Sequence, residues 1–476
     1  MRNEHRPSPT RRELLRAAGG AAVLTALAPF VRDASAAGTA LAISAQPGRV
    51  SLFDSSGPDT DVWCYGGQVP GPEIRVRQGE RLRVTVENGL AEGTTVHCHG
   101  IRLPNAMDGV PDLTQKPIAP GGTFVYEFDV PDAGTFWYHP HQSSSEQVGR
   151  GLFGALIVEE RDAVAVDRDV TWVLKDWRLA RNRAIAEDFG NFMDTSHGGR
   201  VGNTVTVNGR VPDAFQVRAG ERIRLRLINA ANARIFGLVF DGHSPWVIAY
   251  DGQPVEPHRP DGGRIVLGPA MRVDLLIDMT GEPAQRFAVS DVFYRGAEYR
   301  LTHLAYATQG ALRRRAADAP IRLPANPLSE PDLATATRHD IVLAGGMMGG
   351  MMGAADHRGQ MAGMMRSGLV WSINGVAATG HTHAPALNLQ RGRSYILSLR
   401  NDTAWHHPVH LHGHSFRVLS RNGAANPRRE WRDTVLLAPR ERAEIAFVAD
   451  NPGDWMLHCH ILEHQAGGMM ATVSVA

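Results

Sequence analysis

The sequence predicts an all-β protein built as three homologous Greek-key β-sandwich domains. Composition gives the first indication: 50 Gly and 29 Pro in 476 residues, with Lys only at 116 and 175 and no heptad pattern. That balance suits a turn-rich β chain rather than a helical one. Length gives the second, since domains of roughly 150 residues leave room for three. The third is an internal repeat. Gln78-Gly79-Glu80-Arg81, Ala219-Gly220-Glu221-Arg222 and Arg391-Gly392-Arg393-Ser394 each open a turn, and each leads through an alternating strand to Asn88, Asn229 or Asn401. The Gly-to-Asn offset is nine in every copy. Alternation of period two predicts half-buried strands.

Taken in order, residues 1–37 read as a targeting segment. Thr10-Arg11-Arg12-Glu13-Leu14-Leu15-Arg16 precedes the apolar run Ala17 to Val31, and Ala34-Ser35-Ala36 forms a small-residue cleavage site. This order fits a secretory signal rather than a membrane span, and the Arg pair fits the twin-arginine route more closely than the general one. The mature protein is expected to start near Ala37, outside the cytoplasm. Domains are expected over 42–160, 165–310 and 336–476, with an irregular Arg-, Ala- and Pro-rich linker at 311–335. A net charge of +1 implies no nucleic-acid or anionic-membrane partner. With 21 His against three Cys, metal ligation is favoured over a disulfide framework.

The repeats diverge nine residues beyond their Asn. The first and third copies carry His97-Cys98-His99-Gly100 and His410-Leu411-His412-Gly413, whereas the second has Leu238 and Phe240. A second repeat links only the outer domains: Gly134 to His141 matches Gly453 to His460 in register, with Pro140 where Cys459 stands. Four His-x-His elements result: His97/His99, His139/His141, His410/His412 and His458/His460. On a strand, both members of such a pair share one face. Eight imidazoles from two related domains suggest a cluster between them, too many for one ion and suited to three. The donor set Cys459, His464, Met469 and one further imidazole, for which His407 is the best candidate, suits copper. Met470 competes with Met469, but better fits the strand that follows. Because Cys459 faces opposite to His458 and His460, one strand can serve two metal sites.

His-x-His-Gly, His-x-His, His-Pro-x-His-x-His-Gly-His and His-Cys-His-x-x-x-His-x-x-x-x-Met, in this order, resemble the three-domain multicopper oxidases over nearly the whole mature chain. The resemblance implies three cupredoxin-like domains and four copper ions. By position, His97 and His410 would hold type 2 copper. His99, His139, His141, His412, His458 and His460 would hold the type 3 pair. His407, Cys459, His464 and Met469 would hold type 1 copper. The implied chemistry is four one-electron oxidations at type 1, with dioxygen reduced to water at the trinuclear cluster. Asp108 matches the family's acidic residue near type 2 copper and is expected to relay protons, although Asp-Gly is also a turn signal. Many bacterial members carry Glu where this chain has Gln465, which cannot exchange a proton as a carboxyl does. Glu463 is expected to face elsewhere.

Cys98 imitates the type 1 strand, but no His-x-x-x-x-Met follows it. A buried thiol is expected there, with a Cys64–Cys98 disulfide as the alternative. Gly345 to Met365 holds seven Met within 19 residues, spaced by Gly. Thioethers select Cu(I), and periplasmic cuprous oxidases carry a Met-rich insertion in this region. A labile Cu(I) site is therefore expected over 345–366, against the plainer readings of a Gly/Met loop or an apolar cover for the type 1 site. Asp433 is expected near type 1, taking Cu(I) or a phenol proton, or else as a surface Asp paired with Arg432. The leading expectation is a periplasmic, monomeric cuprous oxidase using dioxygen. A laccase-type oxidase of phenols and aryl amines is the runner-up, and a non-catalytic copper-binding or scaffold protein the alternative from another class.

Overall fold

The computed structural model describes residues 38–53, 57–313, 319–347, 366–381 and 384–476. The targeting segment expected over 1–37, and the interior of the methionine-rich stretch at 348–365, lie outside the described residues.

Each repeat strand pairs in parallel with the first strand of its own block. Arg81–Asn88 lies on Thr39–Val50, Arg222–Asn229 on Arg168–Trp177 and Ser394–Asn401 on Thr337–Gly345. The partners of the three Asn residues are Ala45, Leu174 and Leu343. Among the described residues, six sheets form three face-to-face pairs. The first pair joins four strands of order Thr60–Tyr65, Thr39–Val50, Arg81–Asn88, Thr123–Asp129 to four of order Gly71–Arg77, Gly154–Glu159, Gly134–His139, His97–His99. The middle pair has six and five strands, and the third has seven and five. These are cupredoxin-like sandwiches, and their non-consecutive strand order is the predicted Greek-key pattern. Residues 320–332 are irregular.

The repeated Asn explains itself through its amide. Asn88 Nδ2 donates to the carbonyls of Glu92 and Ile118, and its Oδ1 accepts from Leu90 N. Asn229 does the same with Arg234, Leu267 and Ala231, and Asn401 with Trp405, Ala438 and Thr403. A buried amide thus closes the strand end in every sandwich, satisfying backbone groups that the ladder leaves unpaired.

Alternation holds in the first repeat, where Leu82, Val84 and Val86 are buried between solvent-facing neighbours. In the middle repeat it fails, because Arg224 and Arg226 are fully buried. Arg224 pairs with Asp274 and Glu160, and Arg226 with Asp169 and Thr135 Oγ1. Glu160 and Thr135 belong to the first block, so the charged face of this strand is covered by its neighbour instead of by water. Among the described residues lie the short helices α1 (Ser144–Arg150), α2 (Phe192–Ser196) and α3 (Leu462–Ala466).

Removing the Asn amide leaves buried backbone groups without partners. Asn229→Ala, in the block without clustered histidines, is expected to cost about 3 kcal/mol. An unchanged denaturant midpoint would contradict this account of the repeat.

Candidate metal centre

Strand register places the histidines. In the first sandwich His97 sits opposite His139, and in the third His410 sits opposite His458. The two sandwiches bring these strand ends together. The rings stack crosswise: His97 on His412 at 4.0 Å between centroids, and His99 on His410 at 3.7 Å. All eight imidazoles of the four His-x-His elements are buried.

Their nitrogens converge. Three groups have candidate ligand atoms within 4.8 Å of one another: His97/His99/His410, His97/His141/His412 and His99/His139/His460. His458 joins the second through His412, with Nε2 atoms 3.2 Å apart, and His460 and His139 approach by Nε2 at 3.4 Å. His97 Nε2, His99 Nδ1, His410 Nε2, His460 Nδ1 and both His141 nitrogens are buried without a hydrogen-bond partner. Buried polar atoms without partners are costly, and neutral imidazole lone pairs aimed at one another are a donor set suited to metal. The His clusters fit copper sites.

A second cluster lies on the other face of the same strand. His407 Nδ1 is 3.4 Å from Cys459 Sγ, His464 Nδ1 is 3.7 Å from it, and the two Nδ1 atoms are 3.1 Å apart. The far nitrogens are anchored outward. His407 Nε2 donates to Thr403 Oγ1 at 2.8 Å, and His464 Nε2 donates to the His197 carbonyl at 2.6 Å. Met469 is buried in the same core as Cys459, its amide bonded to the His464 carbonyl and its carbonyl accepting from Cys459 N. Met470 opens the last strand and packs instead with Val110, Ala378 and Met456. Backbone hydrogen bonds thus tie Met469 to Cys459 and His464, while Met470 packs in a separate cluster.

Two carboxylates flank the larger cluster. The Asp108 carbonyl accepts from His97 Nδ1 at 2.7 Å, and its Oδ2 accepts from His412 Nδ1 at 2.8 Å. Burial would raise this carboxyl, but His412 and His97 beside it hold it below the usual range. Asp433 does not lie where the sequence placed it. It is neither a surface residue paired with Arg432 nor a neighbour of His407, Cys459 and His464. It is 1 % exposed, its Oδ1 accepts from His99 Nε2 at 3.2 Å, and its carbonyl accepts from His410 Nδ1 at 2.8 Å. The strand following Asp433 pairs with His407–Leu411, with Thr434 opposite His410, and this register carries Asp433 to the histidine cluster. Asp108 and Asp433 are thus counterparts, each fixing one histidine of its own sandwich by its carbonyl and one of the other by its carboxylate.

Several contributors escaped sequence reasoning. Thr403 lies two residues after the repeat Asn, so the repeat itself was the available signal. Trp371 packs its ring 4.2 Å from His464, and the His197 carbonyl comes from the middle block. Glu463 faces that block as well, accepting from Arg200 N and Asn232 Nδ2 at 3.0 Å each. Gln465 is buried with its Oε1 unpartnered. Cys64 and Cys98 are free thiols in separate cores, and burial pushes the Cys98 thiol up to about 12. The alternative disulfide is not formed.

Burial drives the imidazoles down: His412 and His464 to about 3, and His99, His139, His141, His407, His458 and His460 well below their usual value. They are neutral at physiological pH, as metal ligation requires. The unfolded chain then binds more protons than the fold at any pH between the two values, so stability falls on acidification. At pH 5, His412 and His464 should each remove about 2 kcal/mol from the metal-free protein relative to neutral pH. Denaturant midpoints at the two pH values check this, and equal stability would contradict it.

Three multicopper oxidase family profiles match residues 48–163, 168–310 and 355–476. The chain is 30% identical to the multicopper oxidase MmcO of Mycobacterium tuberculosis, over 95% of its own length and 90% of the relative's. Among solved structures, the multi-copper oxidase of Pseudomonas thermotolerans is 36% identical, with a TM-score of 0.81 over 93% of this chain and all of that one. The multicopper oxidase of Campylobacter jejuni, described as a metallo-oxidase, is 27% identical, with a TM-score of 0.76 over 92% of this chain and 91% of that one. With two buried clusters that fit copper and family matches in all three sandwiches, the chain belongs to the multicopper oxidases, a family of copper-dependent oxidoreductases.

Proposed function

We propose that this multicopper oxidase takes electrons from Cu(I) at one copper and reduces dioxygen at three others. Four Cu(I) ions each give up one electron, and these with four protons convert one dioxygen to two waters. Bound copper would supply one-electron transfer at the first site and dioxygen reduction at the second. The ligands we assign are His407, Cys459, His464 and Met469 for type 1, His97 and His410 for type 2, and His99, His139, His141, His412, His458 and His460 for the type 3 pair. Backbone bonds from Cys459 to His458 and His460 join the two sites, so electrons need cross no gap between chains. One chain carries every ligand, which is consistent with a monomer. Asp108, held between His97 and His412, is placed to pass protons. Export by the twin-arginine route fits the oxidising work, and no helix among the described residues is long and apolar enough to cross a membrane.

The observation that carries the Cu(I) reading is where the methionine-rich segment begins and ends. Met347 N donates to the Ser196 carbonyl at 2.9 Å, and Trp405 Nε1 donates to the Met347 carbonyl at 3.0 Å. On the return, Val370 N and Trp371 N donate to the Gly467 carbonyl, and Trp371 Nε1 donates to the Thr195 carbonyl. Both stems are therefore tied to α2, beside the His197 carbonyl that holds His464. A thioether-rich stretch thus starts and finishes near α2, whose next residue, His197, holds the imidazole through which electrons would enter, and thioethers are soft ligands that favour Cu(I).

Cys459→Ser should abolish the blue colour of the copper-loaded protein together with its oxidase activity; persistence of the colour would refute the type 1 assignment. Replacing 348–365 by a short Gly-Ser link should lower Cu(I) oxidation about tenfold or more, with phenol oxidation retained or raised. Equal loss of both would sink the Cu(I) reading, and unimpaired Cu(I) oxidation would remove the methionine-rich segment as its support.

A further inference from the structure

The middle sandwich holds none of the clustered histidines, yet one of its side chains reaches them. We propose that Arg272, at the start of strand Arg272–Asp278, is a positioning residue for the His97/His99/His410 pocket and acts through Asp433. The proposal rests on the ligand assignment above.

Arg272 is fully buried and spans three blocks of the chain. Nη1 and Nη2 donate to Asp433 Oδ1 and Oδ2 at 2.8 and 2.5 Å. Nε donates to the Thr135 carbonyl, Nη1 also to the Ala270 carbonyl, and the backbone N to Asp251 Oδ1. Every guanidinium nitrogen thus has an acceptor. A two-pronged fork of this kind fixes the plane of the carboxylate as well as its charge.

The carboxylate plane matters because of what rests on it. Asp433 Oδ1 accepts from His99 Nε2 and also from Thr434 Oγ1 at 2.8 Å. Holding the proton on Nε2 leaves His99 Nδ1 as the lone pair turned into the pocket, where it has no other partner. His410 is oriented by the Asp433 carbonyl, leaving its Nε2 for the same pocket. Partners of this outer kind set ring orientation and ligand basicity. Asp251 and Asp274 are the other charges facing Arg272, and Arg432 lies 3.9 Å from Asp251.

Gly100 gives a second, independent observation. It closes the His97-Cys98-His99-Gly100 element with φ +87°, and a Cβ there would lie 2.3 Å from Arg272 Nη2 and 2.4 Å from Asp433 Oδ2. The ion pair passes through the space a side chain would fill, so this glycine serves close approach as well as the turn. The counterpart Asp108 is held by histidines on both sides. Arg272 is what makes the two related carboxylates unequal.

The test compares copper-loaded wild type with Arg272→Gln and Arg272→Lys. The readouts are the parallel hyperfine splitting of the type 2 copper signal in EPR and copper retention against a chelator. Type 1 absorption in the same sample reports the rest of the fold. Arg272→Gln should shift the type 2 splitting and weaken retention of that ion about 10–100-fold, with type 1 absorption unchanged. Arg272→Lys, which keeps the charge but loses the fork, should shift the signal the same way by less. Asp433→Asn should reproduce the Gln variant, and the double variant should be no worse than Asp433→Asn alone. If Arg272→Gln does not accumulate folded, Gly100→Ala, which wedges the pair apart, should produce the same type 2 shift. An unchanged type 2 signal, an equal loss of type 1 and type 2, or additive losses in the double variant would overturn the proposal. A wild-type protein with no type 2 signal would overturn the ligand assignment, and this proposal with it.

Discussion

The rest of the structure depends on burying eight imidazoles at one junction between two related sandwiches. Burial removes water from nitrogens that find no replacement partner, and it keeps rings such as His139 and His141 neutral. Such an arrangement costs stability unless a metal occupies it. The surroundings offset part of that cost by fixing several of the rings through their far nitrogens. His97 and His412 are held by Asp108, His99 and His410 by Asp433, and His407 by Thr403. What remains unpaired faces inward, which is the condition for a ligand set that forms before the metal arrives.

The middle sandwich has no clustered histidine but is not a passive spacer. Its strand Arg222–Asn229 buries two arginines against acids and a threonine of its own and the first block. The His197 carbonyl caps His464, and Asn232 holds Glu463 at the start of α3. The same block therefore reaches both clusters, Cys459 side and histidine side. The copy of the repeat without the histidines thus supplies groups that fix side chains at both clusters.

Much of this was legible in the sequence, for local reasons. Period-two spacing alone puts His97 with His99, or His458 with His460, on one face, and the nine-residue offset after each Asn follows from a capping amide that all three sandwiches share. Met469 could be preferred over Met470 because the final strand needed the second of the pair. What was not legible arises across the fold. Asp433 follows His410 by 23 residues, and only the pairing of Thr434 with His410 shows that it turns toward the histidines. Arg272 belongs to no motif; its one trace was that it stands with Asp274 and Asp278 in an otherwise apolar strand. Arg224 and Arg226 looked solvent-facing because the sequence does not reveal that a neighbouring domain covers them.

On the reading proposed, one strand, through His458, Cys459 and His460, serves a mononuclear and a trinuclear copper site. Anomalous scattering at the copper edge from crystals of the copper-loaded protein tests it most directly. The account predicts one peak among His407, Cys459, His464 and Met469, and three within the eight-histidine junction. No peak at Cys459, or a single peak at the junction, would contradict it.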